Sequence, residues 1–261
     1  MALCRRMSPR GLGLALVATL MLLLTPGRTA SATVLPPATV VGLGDSVPAG
    51  SNCDCRDYVY RYGDLVRSRT YRVTTVHNFG QGGQTAHGLR AELQASGALS
   101  RAVSRARVVL VTVGANDFYP EFAKRRSVGC DRSCWGPKSA AVGDDIRAIV
   151  ARIYQLRAGQ RTLVLVTNYW NVFEDGQIAL EDYGPVLHSW TDQVTRGANA
   201  VICSNAVAMG ARCADLYTPF KAADGRADPT GLLADDGDHP NAAGHALIAQ
   251  VLARTRLPWL P

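Results

Sequence analysis

The sequence contains no Gly-Lys pair, no Gly-x-Ser-x-Gly and no His-Glu-x-x-His. Those absences exclude a phosphate-cradling loop, the sharp serine elbow and the helical zinc-ligand pair, each of which needs those residues at that spacing. A Gly-x-Gly at 42–44 follows an apolar run, but Val47 stands where a dinucleotide fingerprint needs its third glycine. Lysine and arginine form no long run suited to tracking phosphates, so nucleic acid is not an expected partner. Nothing in the pattern calls for a metal or cofactor, and no internal repeat is visible. The longest stretch of apolar and small residues, 11–24, interrupted only by Thr19, falls short of the ~20 residues that a membrane span needs, so no stable membrane anchor is expected.

That stretch has another meaning. Arg5, Arg6 and Arg10 precede it and Ala30-Ser31-Ala32 follows it, the three-part pattern of a secretory signal peptide. Residues 1–32 are therefore expected to be removed on export, leaving 33–261 as one generous α/β domain. Arg5, Arg6, Arg10 and Arg28 go with the leader, so the formal charge of +7 owes much to a segment that the secreted protein loses. Of the seven cysteines, Cys4 leaves as well, and Cys53, Cys55, Cys130, Cys134, Cys203 and Cys213 remain. Six cysteines in an exported chain read as three disulfides, with nearest-neighbour pairing expected. A zinc site from the first four is the rival reading, disfavoured by their spacing and by export.

Strands are expected at 39–43, 71–79, 106–113, 162–167 and 214–217. The third is the clearest, a continuous apolar run closed by Gly114, as in a strand buried on both faces. Helical periodicity marks 57–67, a stretch after Thr85 carrying Leu89, Leu93 and Leu99, then 139–156, a long helix from Leu187 to near Gly210, and 241–254. Glycine, serine and two cysteines make 48–56 a loop, and 118–137 reads as a long irregular insertion. Strands alternating with helices argue for a parallel sheet covered on both faces by right-handed crossovers.

Four short blocks lie at the ends of these strands or at the start of the last helix. They are Gly44-Asp45-Ser46, Asn78-Phe79-Gly80-Gln81-Gly82-Gly83, Gly114-Ala115-Asn116-Asp117 and Asp236-Gly237-Asp238-His239-Pro240-Asn241. Singly each is an ordinary turn; in this order the set resembles the SGNH hydrolases, also called GDSL esterases and lipases, from Val40 to Gly244. Val47 stands where the family has leucine. The resemblance implies a flavodoxin-like three-layer α/β/α sandwich with a five-stranded parallel sheet in the order 2-1-3-4-5. It also implies an oxyanion hole from the backbone N–H groups of Ser46 and Gly83 and the side-chain amide of Asn116. A serine hydroxyl attacks only when a base takes its proton. His239 is the candidate base, and Asp236, three residues earlier, can fold back onto the imidazole and orient it. Asp235 and Asp238 flank that carboxylate, and Asp236 is preferred on the family spacing.

The expected reaction is hydrolysis of small-molecule or lipid carboxylic esters by a secreted, monomeric serine esterase or lipase. Two alternatives remain: a carbohydrate acetyl esterase of the same fold, and a secreted binding module with a dead site. Phe118, Tyr119, Trp135, Tyr169, Trp170 and Phe173 follow the strands and are candidates to line an acyl pocket or to cover an edge of the core. Asp45 is expected to hold its turn by accepting from backbone amides. His77, His87, His188 and His245 read as structural.

Overall fold

A computed structural model describes residues 37–127 and 130–258; the proposed leader lies outside them. The first strand, β1 (Ala38–Gly44), is buried along nearly its whole length and runs directly into α1 (Ser46–Ala49). The segment 48–56 is thus not loop throughout, because Asp45 caps a short helix that takes up its first residues. Asp57 caps the next helix, α2 (Tyr58–Thr70), by accepting from Val59 N at 2.8 Å and Tyr60 N at 3.1 Å. Tyr71 in the left-handed region ends it, and this delays β2 (Thr74–Gly80) relative to the β-branched run that suggested a start at 71.

Thr85 does cap α3 (Ala86–Gln94), with Gly88 N donating to its hydroxyl at 3.0 Å. The helix stops before Leu99, which belongs to a separate α4 (Ala98–Arg105). After β3 (Val108–Thr112) comes the largest departure from the sequence reading. Residues 116–118 form a 3-10 turn, followed by α5 (Tyr119–Ser127) and α6 (Arg132–Leu156), so the expected irregular insertion is mostly helical. Asp131 explains the early start of α6: its carboxylate accepts from Ser133 N at 2.8 Å; Pro137, in the second turn, leaves Ser133 O without its helical donor.

β4 (Leu163–Thr167) precedes α7 (Gly176–Ala208), which is two helices merged across a break, Gly184 having φ +73° ahead of Pro185. β5 (Arg212–Ala214) is short, and Tyr217, expected in that strand, instead opens α8 (Tyr217–Lys221). The chain closes on α9 (Ala242–Thr255), capped by Asn241 through Ala243 N and Gly244 N. None of the helices among the described residues is long and apolar enough to cross a membrane.

All five strands are parallel in the order β2-β1-β3-β4-β5. Helices α2 and α9 pack together on one face, and α3, α4, α6 and α7 associate on the other, giving the expected three layers. The core is the sheet itself: β3 is buried at every position, with Val111 registered beside Leu43 and Val166. The six cysteines pair as nearest neighbours, Cys53–Cys55, Cys130–Cys134 and Cys203–Cys213, so their thiols are spoken for by disulfides rather than a shared metal.

Candidate active site

The carboxyl ends of β1, β2 and β3 lie side by side, Gly44 registering with Gly80 on one side and Thr112 on the other. Chains that leave three adjacent strands at one edge must pass very close. A Cβ on Gly44 would sit 1.8 Å from Thr112 O, and φ there is +133°. One on Gly80 would sit 2.2 Å from Ala49 N. These glycines let the first two blocks meet, with Gln81 N donating to Gly44 O at 2.9 Å and Asp45 N to Thr112 O at 3.0 Å.

Ser46 is the first residue of α1. The preceding Asp45 is fully buried; its Oδ1 accepts from Val47 N at 3.0 Å, as expected, and its Oδ2 accepts from the Tyr169 hydroxyl, which was not. Burial pushes the Asp45 carboxyl up to about 7, against the pull of these two hydrogen bonds. Below it, Tyr58 and Thr167 both hydrogen-bond the Thr112 hydroxyl, at 2.6 and 2.8 Å. The nucleophile candidate thus stands on a buried polar stack rather than on the apolar core.

Gly83 has φ +77° and open space where a Cβ would be, so its backbone can face a ligand. Asn116 starts the 3-10 turn after β3 and lines the same cavity as Ser46. One N–H of its side-chain amide donates to Gln84 O at 3.0 Å, which ties the third block to the second. Asp117 adds a second tie, accepting from Ala86 N at 2.9 Å.

The turn at 236–239 is folded around Asp236. Its Oδ1 accepts from Asp238 N and His239 N, each at 3.0 Å, and its Oδ2 lies 2.6 Å from His239 Nδ1. Asp238 Oδ2 is 3.8 Å from the same nitrogen and its side chain is 47% exposed, so Asp236 is the carboxylate seated on the imidazole. Burial works against ionising Asp236, but hydrogen bonds from Asn52, from His239 N and from the His239 ring hold its carboxyl below the ordinary range. Gly237 makes the turn possible with φ +66°, and its carbonyl accepts from Asp175 N at 2.7 Å. Asn241 both caps α9 and donates to Leu233 O at 2.8 Å, fixing the turn to a rigid helix.

Ser46, Asn116 and Asp238 share one cavity of about 70 Å³. Asp238 immediately precedes His239 in the chain, so the turn that carries the imidazole reaches the edge of this cavity. Among the described residues no hydrogen bond joins the Ser46 hydroxyl to His239. Tyr119, Tyr169, Trp170 and Phe173 line the cavity as expected, joined by Phe122, which the sequence did not single out. Phe118 and Trp135 do not line it. Phe118 is fully buried in the core, and Trp135 lies over Gly197 of α7, where it lines a separate cavity with Cys130, Trp190 and Arg196. The helical winding of 116–127 and of 132–156 accounts for both, since it carries these two rings away from the strand ends. Of the other histidines, His245 is buried, accepts from Tyr58 N at 3.3 Å and has its basicity lowered by burial, to about 4. His188 pairs with buried Asp175 at 2.6 Å, and Lys221 bonds the other oxygen of that carboxylate at 2.7 Å. The residue missed altogether is Asn52, whose side chain donates to Asp236 Oδ2. Nothing local in the sequence points to a contact 184 residues away.

The model of the GDSL-like Lipase/Acylhydrolase family matches residues 43–247. Among solved structures, a lipase, Lip_vut3, from a goat rumen metagenome superposes with a TM-score of 0.71 at 18% identity, covering 86% of this chain and 100% of its own. Axe2, an acetylxylan esterase from Geobacillus stearothermophilus, gives 0.57 at 16% identity, covering 85% and 95%. The psychrotrophic esterase EstA from Pseudoalteromonas sp., inhibited by monoethylphosphonate, gives 0.53 at 16% identity, covering 83% and 95%. At these identities the likeness is one of fold. No curated protein matches the sequence.

Proposed function

Since the chain belongs to the GDSL-like lipase/acylhydrolase family, we propose that it is an exported serine esterase that cleaves carboxylic esters through an acyl-serine intermediate. The observation that carries this reading is the His239–Asp236 contact of 2.6 Å beside the cavity that holds Ser46 and Asn116. Ser46 Oγ attacks the ester carbonyl carbon while its proton passes to His239 Nε2. Asp236, bonded to Nδ1, fixes the tautomer and stabilises the imidazolium. The oxyanion of the tetrahedral intermediate is received by the N–H groups of Ser46 and Gly83 and the Asn116 amide. The bond to the alcohol oxygen then breaks as His239 returns the proton to it, and a water repeats the sequence to release the acid.

The volume of the cavity favours small acyl groups. About 70 Å³ holds only two or so waters at ~30 Å³ each, so acetyl and similar short chains fit without rearrangement. That observation keeps acetylated carbohydrate as a second reading, in line with the acetylxylan esterase among the similar folds. Export rests on the leader pattern in 1–32. The test is hydrolysis of p-nitrophenyl esters of rising chain length, with Ser46→Ala as control. A serine-dependent rate greatest at acetyl or propionyl is expected; if only acetylated glycans are cleaved the second reading stands. No turnover, together with failure of a phosphonate to label Ser46, makes the protein a binding module.

A further inference from the structure

We propose that Asn52 is a positioning residue of this site, holding Asp236 ionised and turned toward His239. The proposal rests on the esterase reading for its kinetic consequences but not for its geometry. Asp236 Oδ1 is saturated by two backbone donors, whereas Oδ2 receives the His239 ring and the Asn52 side-chain amide. The amide nitrogen also lies 3.4 Å from His239 Nδ1, so it sits at the junction of the acid and the base. Remove it, and Oδ2 keeps one partner; the carboxyl is then easier to protonate and freer to turn.

The placement of Asn52 has its own supports. Its backbone is left-handed, with φ +55°, a conformation that asparagine and glycine accept at little cost. The turn that carries it hangs from the helix that starts with Ser46: Ser51 N donates to Ser46 O at 3.0 Å and Cys53 N to Gly50 O at 3.3 Å. The Cys53–Cys55 disulfide closes the chain immediately after it. Asn52 therefore joins the segment bearing Ser46 to the segment bearing Asp236 and His239.

Two substitutions separate positioning from mere structure, and both suit the left-handed backbone. Asn52→Gly removes the amide, and Asn52→Asp keeps the shape but sets a second carboxylate against Asp236. In Asn52→Gly, kcat is expected to fall about tenfold with KM little changed, the worth of one hydrogen bond to a charged group. The carboxyl of Asp236, followed by carbon NMR in a Ser46→Ala background, titrates at higher pH in Asn52→Gly and higher still in Asn52→Asp. Because Asn52 is exposed, the melting temperature stays near that of the parent. The proposal is overturned if Asp236 titrates alike in all three proteins, or if the loss in Asn52→Gly lies in KM with kcat intact. The NMR reading needs no turnover, so a protein that hydrolyses no ester sinks the esterase reading and leaves this one to stand or fall on the titration.

Discussion

Replacing Asp45 by asparagine should stabilise the protein above neutral pH and leave it nearly unchanged in acid. Asp45 is wholly enclosed, with Val47 N and the Tyr169 hydroxyl as its partners. Burial raises the folded carboxyl to about 7, above its unfolded value of ~3.9. Between those two values the native state holds a proton that the unfolded chain has released, so stability falls as pH rises, by ~1.4 kcal/mol per pH unit. From pH 5 to pH 7 this amounts to ~3 kcal/mol, and above pH 7 the loss is complete. Asparagine has nothing to ionise, its Oδ1 can still accept from Val47 N, and its amide can face the Tyr169 oxygen. Urea unfolding of both proteins with disulfides intact, at pH 5, 6, 7 and 8, measures the gap directly. The Asp45→Asn curve should pull above the parent by ~3 kcal/mol across the series. Parallel curves would refute the reasoning and mean that the Tyr169 and Val47 hydrogen bonds fully offset the cost of burying the charge.

Three other outcomes are expected. Asn116→Ala removes an amide from the lining of the cavity, and should lower kcat by roughly 10²–10³ with little change in KM in steady-state assays. Asp236→Asn should cut turnover with the fold intact by circular dichroism. It should also flatten the acid side of the stability curve: a carboxyl held below its ordinary range stabilises the native state above that range, and that stability goes as pH falls. Gly44→Ala drives a Cβ to within 1.8 Å of Thr112 O at φ +133°, and should cost ~4 kcal/mol or more in urea unfolding, with loss of the site.

The contrast between the two aspartates shows how the same residue type is assigned opposite tasks. Asp45 is enclosed with one hydroxyl and one amide donor, and burial wins. Asp236 is more exposed, with a side-chain accessibility of 29%, and four donors win. Sequence placed both beside candidate reacting groups, but only their surroundings separate the carboxyl that is hard to ionise from the one that stays charged.

Some of this molecule follows from local order alone. Apolar runs at β3 and β4 declare strands buried on both faces, because every side chain there must find an apolar neighbour whichever way it points. Thr85, Asp57 and Asn241 cap helices through bonds to amides only two or three residues ahead, so their effect is written into the adjacent sequence. The four blocks are legible for the same reason, each being a turn whose geometry its own glycines and polar residues dictate. The short polar helix α5 is not, since it has too few apolar positions for a period and is kept in place by Phe122 against Phe173, Tyr183 and Trp190. Nor is the sorting of the aromatics, with Trp170 at the cavity and Trp135 over Gly197, because which side of a helix a ring meets depends on what packs there. Nor is Asn52, whose bond to Asp236 joins the first turn after β1 to the last turn before α9. Local chemistry determined the elements and the candidate reacting groups; tertiary packing decided which carboxyl is easier to ionise, which rings face the cavity and what holds Asp236 against His239, since those depend on neighbours far away along the chain.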